Sequence, residues 1–199
     1  MTRFLLIRHA TTNSVGKRLS GRTPGVHLSE AGRAEAEQLA DRLAHIKLDL
    51  IYSSPLERAR ETAEPLAKQH GLETVINEDL VEINFGDWTD LSFAELQNDK
   101  GFQLFNTFRS TAPVPGGERM PQAQLRIVSG LQSLCAKHPN QTVAVVSHSD
   151  LIKSAVAYYL GVHLDLFQRI EISPASVTIL EVFEETCRVT VLNNTGDIR

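Results

Sequence analysis

Short apolar runs alternate along this chain with stretches of helical period, and that alternation restricts the fold more than any other feature of the sequence. The first run, Phe4 to Ile7, lies in a strand expected over about Arg3 to Arg8, and the glycines and proline of "GKRLSGRTPG" then predict a loop. Ser29 reads as the N-cap of a helix whose face carries Leu28, Ala31, Ala36, Leu39, Ala40, Leu43 and Ala44, ending near His45. The strand "LDLIYS" follows, then a helix with Pro55 in its first turn that runs to about Gln69 and stops at Gly71. Residues 73–83 predict a short extended segment and "FGDWTD" a turn-rich loop. Helix is expected from Ser92 to Arg109 with an interruption at Gly101, a loop at "APVPGGE", and helix again from about Pro121 to Ala136. "TVAVVSHSD" repeats the opening theme of an apolar strand, a histidine at its end and a helix start at Ser149 or Asp150. "SVTILEVF" and "CRVTVLNN" alternate in twos and predict an antiparallel hairpin around Glu184 and Glu185.

Strands alternating with helices predict an α/β fold, a three-layer α/β/α sandwich around a mostly parallel central sheet. A length of 199 residues, 42% of them hydrophobic, suits one domain over residues 1–199 with a proper core. With 24 acidic against 20 basic residues the formal charge is −4, which speaks against nucleic acid as a partner; an anionic ligand would need a local basic focus. Cys135 and Cys187 make neither a disulfide framework nor a zinc site, so reduced thiols in a cytoplasmic protein are expected, with a bridge between the two left open. No apolar run approaches a membrane span, and Phe4 to Ile7 is too short for a signal peptide, so no membrane partner is expected.

Two strands of one parallel sheet that each end in histidine bring His9 and His148 to the same sheet edge, where open α/β sheets hold ligands. Arg8 sits beside them, and Arg58 lies in the first turns of the helix after "LIYSS". Arginine suits such a cup because its planar fork pairs two phosphate oxygens and keeps its charge, so phosphate is the simplest anion to place there. Taken singly, a strand-end histidine is more often a hydrogen-bonded structural residue, and Arg58 and Arg60 could be ordinary solvated arginines. Their joint occurrence at strand ends carries the argument.

"LIRHATT", "SSPLERARETA", "EINFGDW", "PGGE" and "VSHSDLI", in that order, resemble the histidine phosphatase superfamily, in its phosphoglycerate-mutase-like branch. The resemblance implies that His9 is the nucleophile, that Arg8, Arg58 and His148 hold the phosphoryl oxygens, and that Glu82 is the proton donor. Taken without its motif, Glu82 would read as a surface carboxylate. It also offers Ser20, Gly21 and Arg22 as contacts to the substrate, and Glu118 with Arg126 as a structural pair after "PGG". Many relatives have glycine and then glutamate or glutamine after the Arg-His pair, with a phosphate-binding asparagine further on; here Ala10 and Thr11 follow. Asn13, Thr12 or a backbone amide could take the asparagine's place. Ser149 and Asp150 stand where many relatives have glycines, which leaves the Ser149 amide to donate to phosphate and Asp150 to cap a helix.

These roles agree with elementary chemistry. Imidazole attacks phosphorus when neutral, and two neighbouring arginines oppose a second positive charge on His9. Two arginines and a protonated His148 could stabilise the moving phosphoryl group without metal or cofactor. The expected function is therefore metal-independent hydrolysis of a small phosphate monoester through a phosphohistidine. A phosphoglycerate mutase is the alternative, although the segment from Asp87 to Gly117 is short and offers only Lys100 and Arg109 to grip a second phosphate. A non-catalytic phospho-ligand or protein-binding module is a further alternative, in which loss of His9, Arg58, Glu82 or His148 would be expected. Sugar phosphates, phosphoglycerate derivatives and nucleoside-type monophosphates all remain open as small-molecule partners, and so does a homodimer.

Overall fold

In the computed structural model, which describes residues 1–198, the elements run β1 (Thr2–Arg8), α1 (Glu30–Leu43), β2 (Leu50–Ser53), α2 (Glu57–His70), β3 (Thr74–Ile76), α3 (Phe93–Leu96), α4 (Lys100–Thr107), α5 (Met120–Lys137), β4 (Thr142–Ser147), α6 (Ser149–Leu160), β5 (Val177–Val182) and β6 (Cys187–Asn194). Short 3-10 turns occupy Glu78–Leu80, Gly86–Trp88 and Leu164–Arg169.

The opening strand explains the layers. Successive side chains of a strand point to opposite faces, and β1 is apolar on both: Phe4 and Leu6 enter one core, Leu5 and Ile7 the other. A strand buried on both faces needs cover on both. Leu39 and Leu43 of α1 with Ala63 and Leu66 of α2 supply it on the Leu5 side; Ile127 and Leu131 of α5 with Ile152 and Val156 of α6 supply it on the Phe4 side. The sheet order is β3-β2-β4-β1-β5-β6. The first four strands are parallel, β5 is antiparallel to β1, and β6 is antiparallel to β5. The expected hairpin forms, closed by the Phe183 N–H on the Thr186 carbonyl at 2.8 Å.

Several boundaries differ from expectation for local reasons. Helix over Ser92 to Arg109 divides into α3 and α4, and the break lies before Gly101, which is helical. Ser92 caps α3 in a capping box with Glu95, and Asp99 caps α4 by accepting from the Phe102 N–H at 2.7 Å, so two start signals outweigh one continuous pattern. Helix α2 begins at Glu57, leaving Pro55 outside it, because the Ser54 hydroxyl accepts from the Leu56 N–H and holds that stretch in a turn. Helix α6 begins at Ser149 with His148 in the cap position; Asp150 is in the first turn and is not the cap.

Glycine is required where "FGDW" meets "PGGE". A Cβ on Gly86 would stand 2.0 Å from the Pro115 carbonyl oxygen, and its φ of +51° is left-handed. Gly32 lets the start of α1 approach the backbone of Thr11, where a Cβ would stand 1.9 Å from the carbonyl oxygen. The first contact joins the turn after Phe85 to the turn at Gly116, and the second joins the start of α1 to the loop that follows β1.

Candidate active site

Parallel pairing of β1 with β4 places Arg8 opposite Ser147, so the residues that follow, His9 and His148, emerge side by side. Their ring centroids are 5.2 Å apart. β2, on the other side of β4, delivers Ser53 and Ser54 to the same edge. These ends floor a cavity of about 420 Å³ lined by Arg8, His9, Thr12, Ser20, Gly21, Arg58, Glu82 and Ser149, among others.

His9 is 6% exposed, and its Nδ1 lies 2.7 Å from the carbonyl oxygen of its neighbour Ala10. A carbonyl can only accept, so Nδ1 carries the proton and Nε2 keeps a free lone pair. The Ala10 N–H in turn donates to Thr62 Oγ1 at 2.9 Å, and that hydroxyl donates to the Arg58 carbonyl, which fixes the turn after the strand. Burial, then Arg58 and Arg8, hold the His9 imidazole well below its ordinary pKa of 6.5. It is neutral near pH 7.

The two arginines are aimed by backbone oxygens. Arg8 Nη1 donates to the Ile172 carbonyl at 2.7 Å and Arg58 Nη2 to the Gly21 carbonyl at 2.7 Å. Arg8 Nε and Arg58 Nη1 are buried and have no partner among the described residues. Buried guanidinium N–H groups left in that state are costly unless an anion completes them.

His148 is fully buried behind His9, and its Nε2 meets the Ser54 hydroxyl at 2.8 Å. Burial, Arg58 and His9 push its pKa well down, so the imidazole is neutral in this site, contrary to the protonated form expected from the sequence. The Ser54 hydroxyl, which accepts from the Leu56 N–H, pairs with His148 Nε2, and His148 Nδ1 is buried with no partner among the described residues.

Glu82 faces the cavity with one carboxylate oxygen taking the N–H of Ile83 at 2.9 Å. Burial and the charge of Asp150 raise its pKa to about 7, against the pull of that hydrogen bond, Arg58 and Arg8. Arg22, expected at the substrate, is not among the cavity-lining residues. Its Nε donates to the Glu82 carbonyl at 2.7 Å and its Nη2 to Glu118 at 3.0 Å. Arg126 pairs with both oxygens of Glu118 at 3.0 and 2.9 Å and donates to the carbonyls of Asp79 and Val81. The segment carrying Glu82 is thus fastened by two arginines and one carboxylate.

Asn13 is exposed and does not line the cavity, whereas its neighbour Thr12 is buried and does. Thr12 Oγ1 accepts from the Ser14 N–H and so has a proton to give. Ser20, Gly21 and Ser149 reach the cavity as expected. Ser54 and Thr62 were not foreseen as supports; Arg109, weighed from the sequence only as a grip for a second phosphate, is 3% exposed, lines the cavity and lies 2.7 Å from Asp150. Phe93, Phe102, Asn106 and Gln168 also line the wall and were not foreseen; they are set by how α3, α4 and the turn after α6 fold over the sheet, which no local pattern encodes.

A neutral imidazole beside unsatisfied guanidinium groups, at the carboxyl ends of parallel strands, defines a receptor for an anionic group of phosphate size. Comparison with known proteins agrees. A family model described as the histidine phosphatase superfamily (branch 1) matches residues 4–195. Phosphoserine phosphatase 1 of Hydrogenobacter thermophilus is 31% identical over 98% of this chain and 93% of its own length. Among solved structures, Bacillus stearothermophilus YhfR superposes with a TM-score of 0.92 at 30% identity, covering 100% of this chain and 98% of its own. A variant of Entamoeba histolytica phosphoserine phosphatase, in complex with phosphoserine, gives a TM-score of 0.89 at 28% identity over 98% of each chain. The protein belongs to the histidine phosphatase superfamily, branch 1, and is a phosphoric monoester hydrolase.

Proposed function

We propose that the protein hydrolyses small phosphate monoesters through a phosphohistidine on Nε2 of His9, using protein groups alone. The observation that carries this reading is the Nδ1 contact to the Ala10 carbonyl, which turns an unprotonated Nε2 toward a cavity where Arg8 and Arg58 hold unpaired N–H groups.

The substrate phosphate enters among Arg8, Arg58, the Thr12 hydroxyl and the first amides of α6, with His148 Nδ1–H as a further donor. Fixed donors around the equatorial oxygens stabilise the spreading charge of the transition state without reorganisation. His9 Nε2 forms the N–P bond as the bond from phosphorus to the ester oxygen breaks, and Glu82, protonated near neutral pH, gives its proton to the leaving alkoxide. The resulting Glu82 carboxylate then takes a proton from water as the water oxygen attacks phosphorus. The N–P bond breaks, the electron pair returns to Nε2, and inorganic phosphate leaves.

The test is phosphate release from a panel that includes phosphoserine, sugar phosphates and nucleoside monophosphates, with 3-phosphoglycerate followed in parallel for isomerisation. Release by the wild type that disappears in a folded His9→Ala variant is the expected result. Isomerisation with little release would replace the phosphatase by a mutase. Undiminished release by His9→Ala would remove His9 as the nucleophile.

A further inference from the structure

Beyond the phosphate cup, the cavity is walled by Phe93 and Phe102 with Val15 and Leu19. The two cations on that side are already taken. Arg109 is held 2.7 Å from Asp150 and 2.7 Å from Asn106 Oδ1, with its guanidinium carbon 4.2 Å from the Phe105 ring centroid and 4.6 Å from that of Phe167. Arg18 lies 3.2 Å from the Asp90 carboxylate and donates to the Asp90 carbonyl at 2.6 Å. Arg8 and Arg58 are the only other arginines or lysines among the described residues lining the cavity, and both belong to the proposed phosphate cup. A second anionic group on the substrate would have to draw Arg109 away and strand the Asp150 carboxylate in a mostly buried place, or compete with Asp90 for the half-exposed Arg18, where water screens the gain. An apolar body would instead lose water against the phenyl wall.

We infer that the leaving alcohol is uncharged and carries an apolar or planar ring, and that Phe93, Phe102 and the closed Arg109–Asp150 pair select it against carboxylate-bearing phosphate esters. This inference rests on the phosphatase reading, because it takes the phosphate cup as the fixed end of the substrate. It concerns only what lies beyond that cup.

The experiment compares 2-phenylethyl phosphate with O-phosphoserine and 3-phosphoglycerate, all esters of primary alcohols, so their leaving oxygens make similar demands on the proton donor. Two readouts are taken: kcat/KM for phosphate release by the wild type, and the Kd for the intact esters in His9→Ala. The ring ester is expected to lead by about tenfold in both, the size of one half-buried ring. Phe93→Ala, which trims an exposed residue of α3, should erase most of that lead through KM, with kcat little changed. Asp150→Asn, which frees Arg109, should move the ratio toward phosphoserine. Equal or better use of phosphoserine or 3-phosphoglycerate by the wild type overturns the inference and leaves the phosphatase standing. A ring preference in Kd without turnover of any ester supports the inference and removes the phosphatase.

Discussion

At Glu82, burial and the negative charge of Asp150 keep a proton on the carboxyl to about pH 7, where the proposed cycle needs one to deliver. His9 loses its proton well below pH 6.5, so the form with a neutral His9 and an acidic Glu82 spans the range between. Phosphate release should therefore hold through mildly acid pH and decline as pH rises past about 7. Glu82→Gln should abolish that decline and slow alkyl phosphates more than nitrophenyl phosphate, whose leaving group needs no proton; equal slowing would remove the donor role. The same shift acts on stability. In the unfolded chain this carboxyl ionises near 4.5 and in the fold near 7, so its stabilising contribution is complete below 4.5 and is lost as pH rises to 7. Glu82→Gln should accordingly be more stable than wild type at pH 8, by up to about 3 kcal/mol, and the gain should fade at pH 4.5 in urea unfolding. Single residues were only partly legible. His9, Arg58 and Glu82 stand in motifs that place them, whereas the choice between Thr12 and Asn13 depends on which side chain the loop turns inward, a matter of tertiary packing.

The segment from Asp79 to Asn84 has no regular structure beyond one 3-10 turn, so its position depends on outside ties. Burial would raise the Glu118 carboxyl, but hydrogen bonds and charge from Arg126, the Asn84 N–H and Arg22 outweigh it and hold the pKa below the usual range. Arg126→Ala removes three kinds of tie at once, to Glu118, Asp79 and Val81. It should cost about 3 kcal/mol in urea unfolding, in the range for breaking a buried ion pair. It should also lower kcat at temperatures where the variant is folded, because Glu82 loses its fixed place. Unchanged kcat in the folded variant would make the network purely structural. The pairing of Glu118 with Arg126 was foreseen; that Arg22 joins it was not, since "SGR" reads equally well as a loop aimed at substrate. Element boundaries failed in the same way at Pro55 and Gly101, where a capping hydroxyl or carboxylate overrode residues that usually punctuate helices.

Across the molecule, strand and helix alternation made the three layers legible, because helical and two-residue periods leave separate marks on the sequence. The order of strands did not show, since it depends on which sheet edges later strands find. The chemistry proposed here uses only side chains and amides, so prolonged treatment with a chelator should leave turnover intact. Activity lost on chelation and restored by a divalent cation would contradict it. Among the described residues no cluster of three His, Cys, Asp or Glu is placed to hold a metal ion.

The strand that leads into His9, β1, has both its neighbours, β4 and β5, far along the chain, and the Ile172 carbonyl that aims Arg8 belongs to the segment just before β5. Contacts between distant parts of a chain close late and slow the folding step. During synthesis β1 is made before either of the strands that flank it. The imidazole of His9 therefore exists early as a residue and gains its place beside His148, with Arg8 aimed, only once both flanking strands are made.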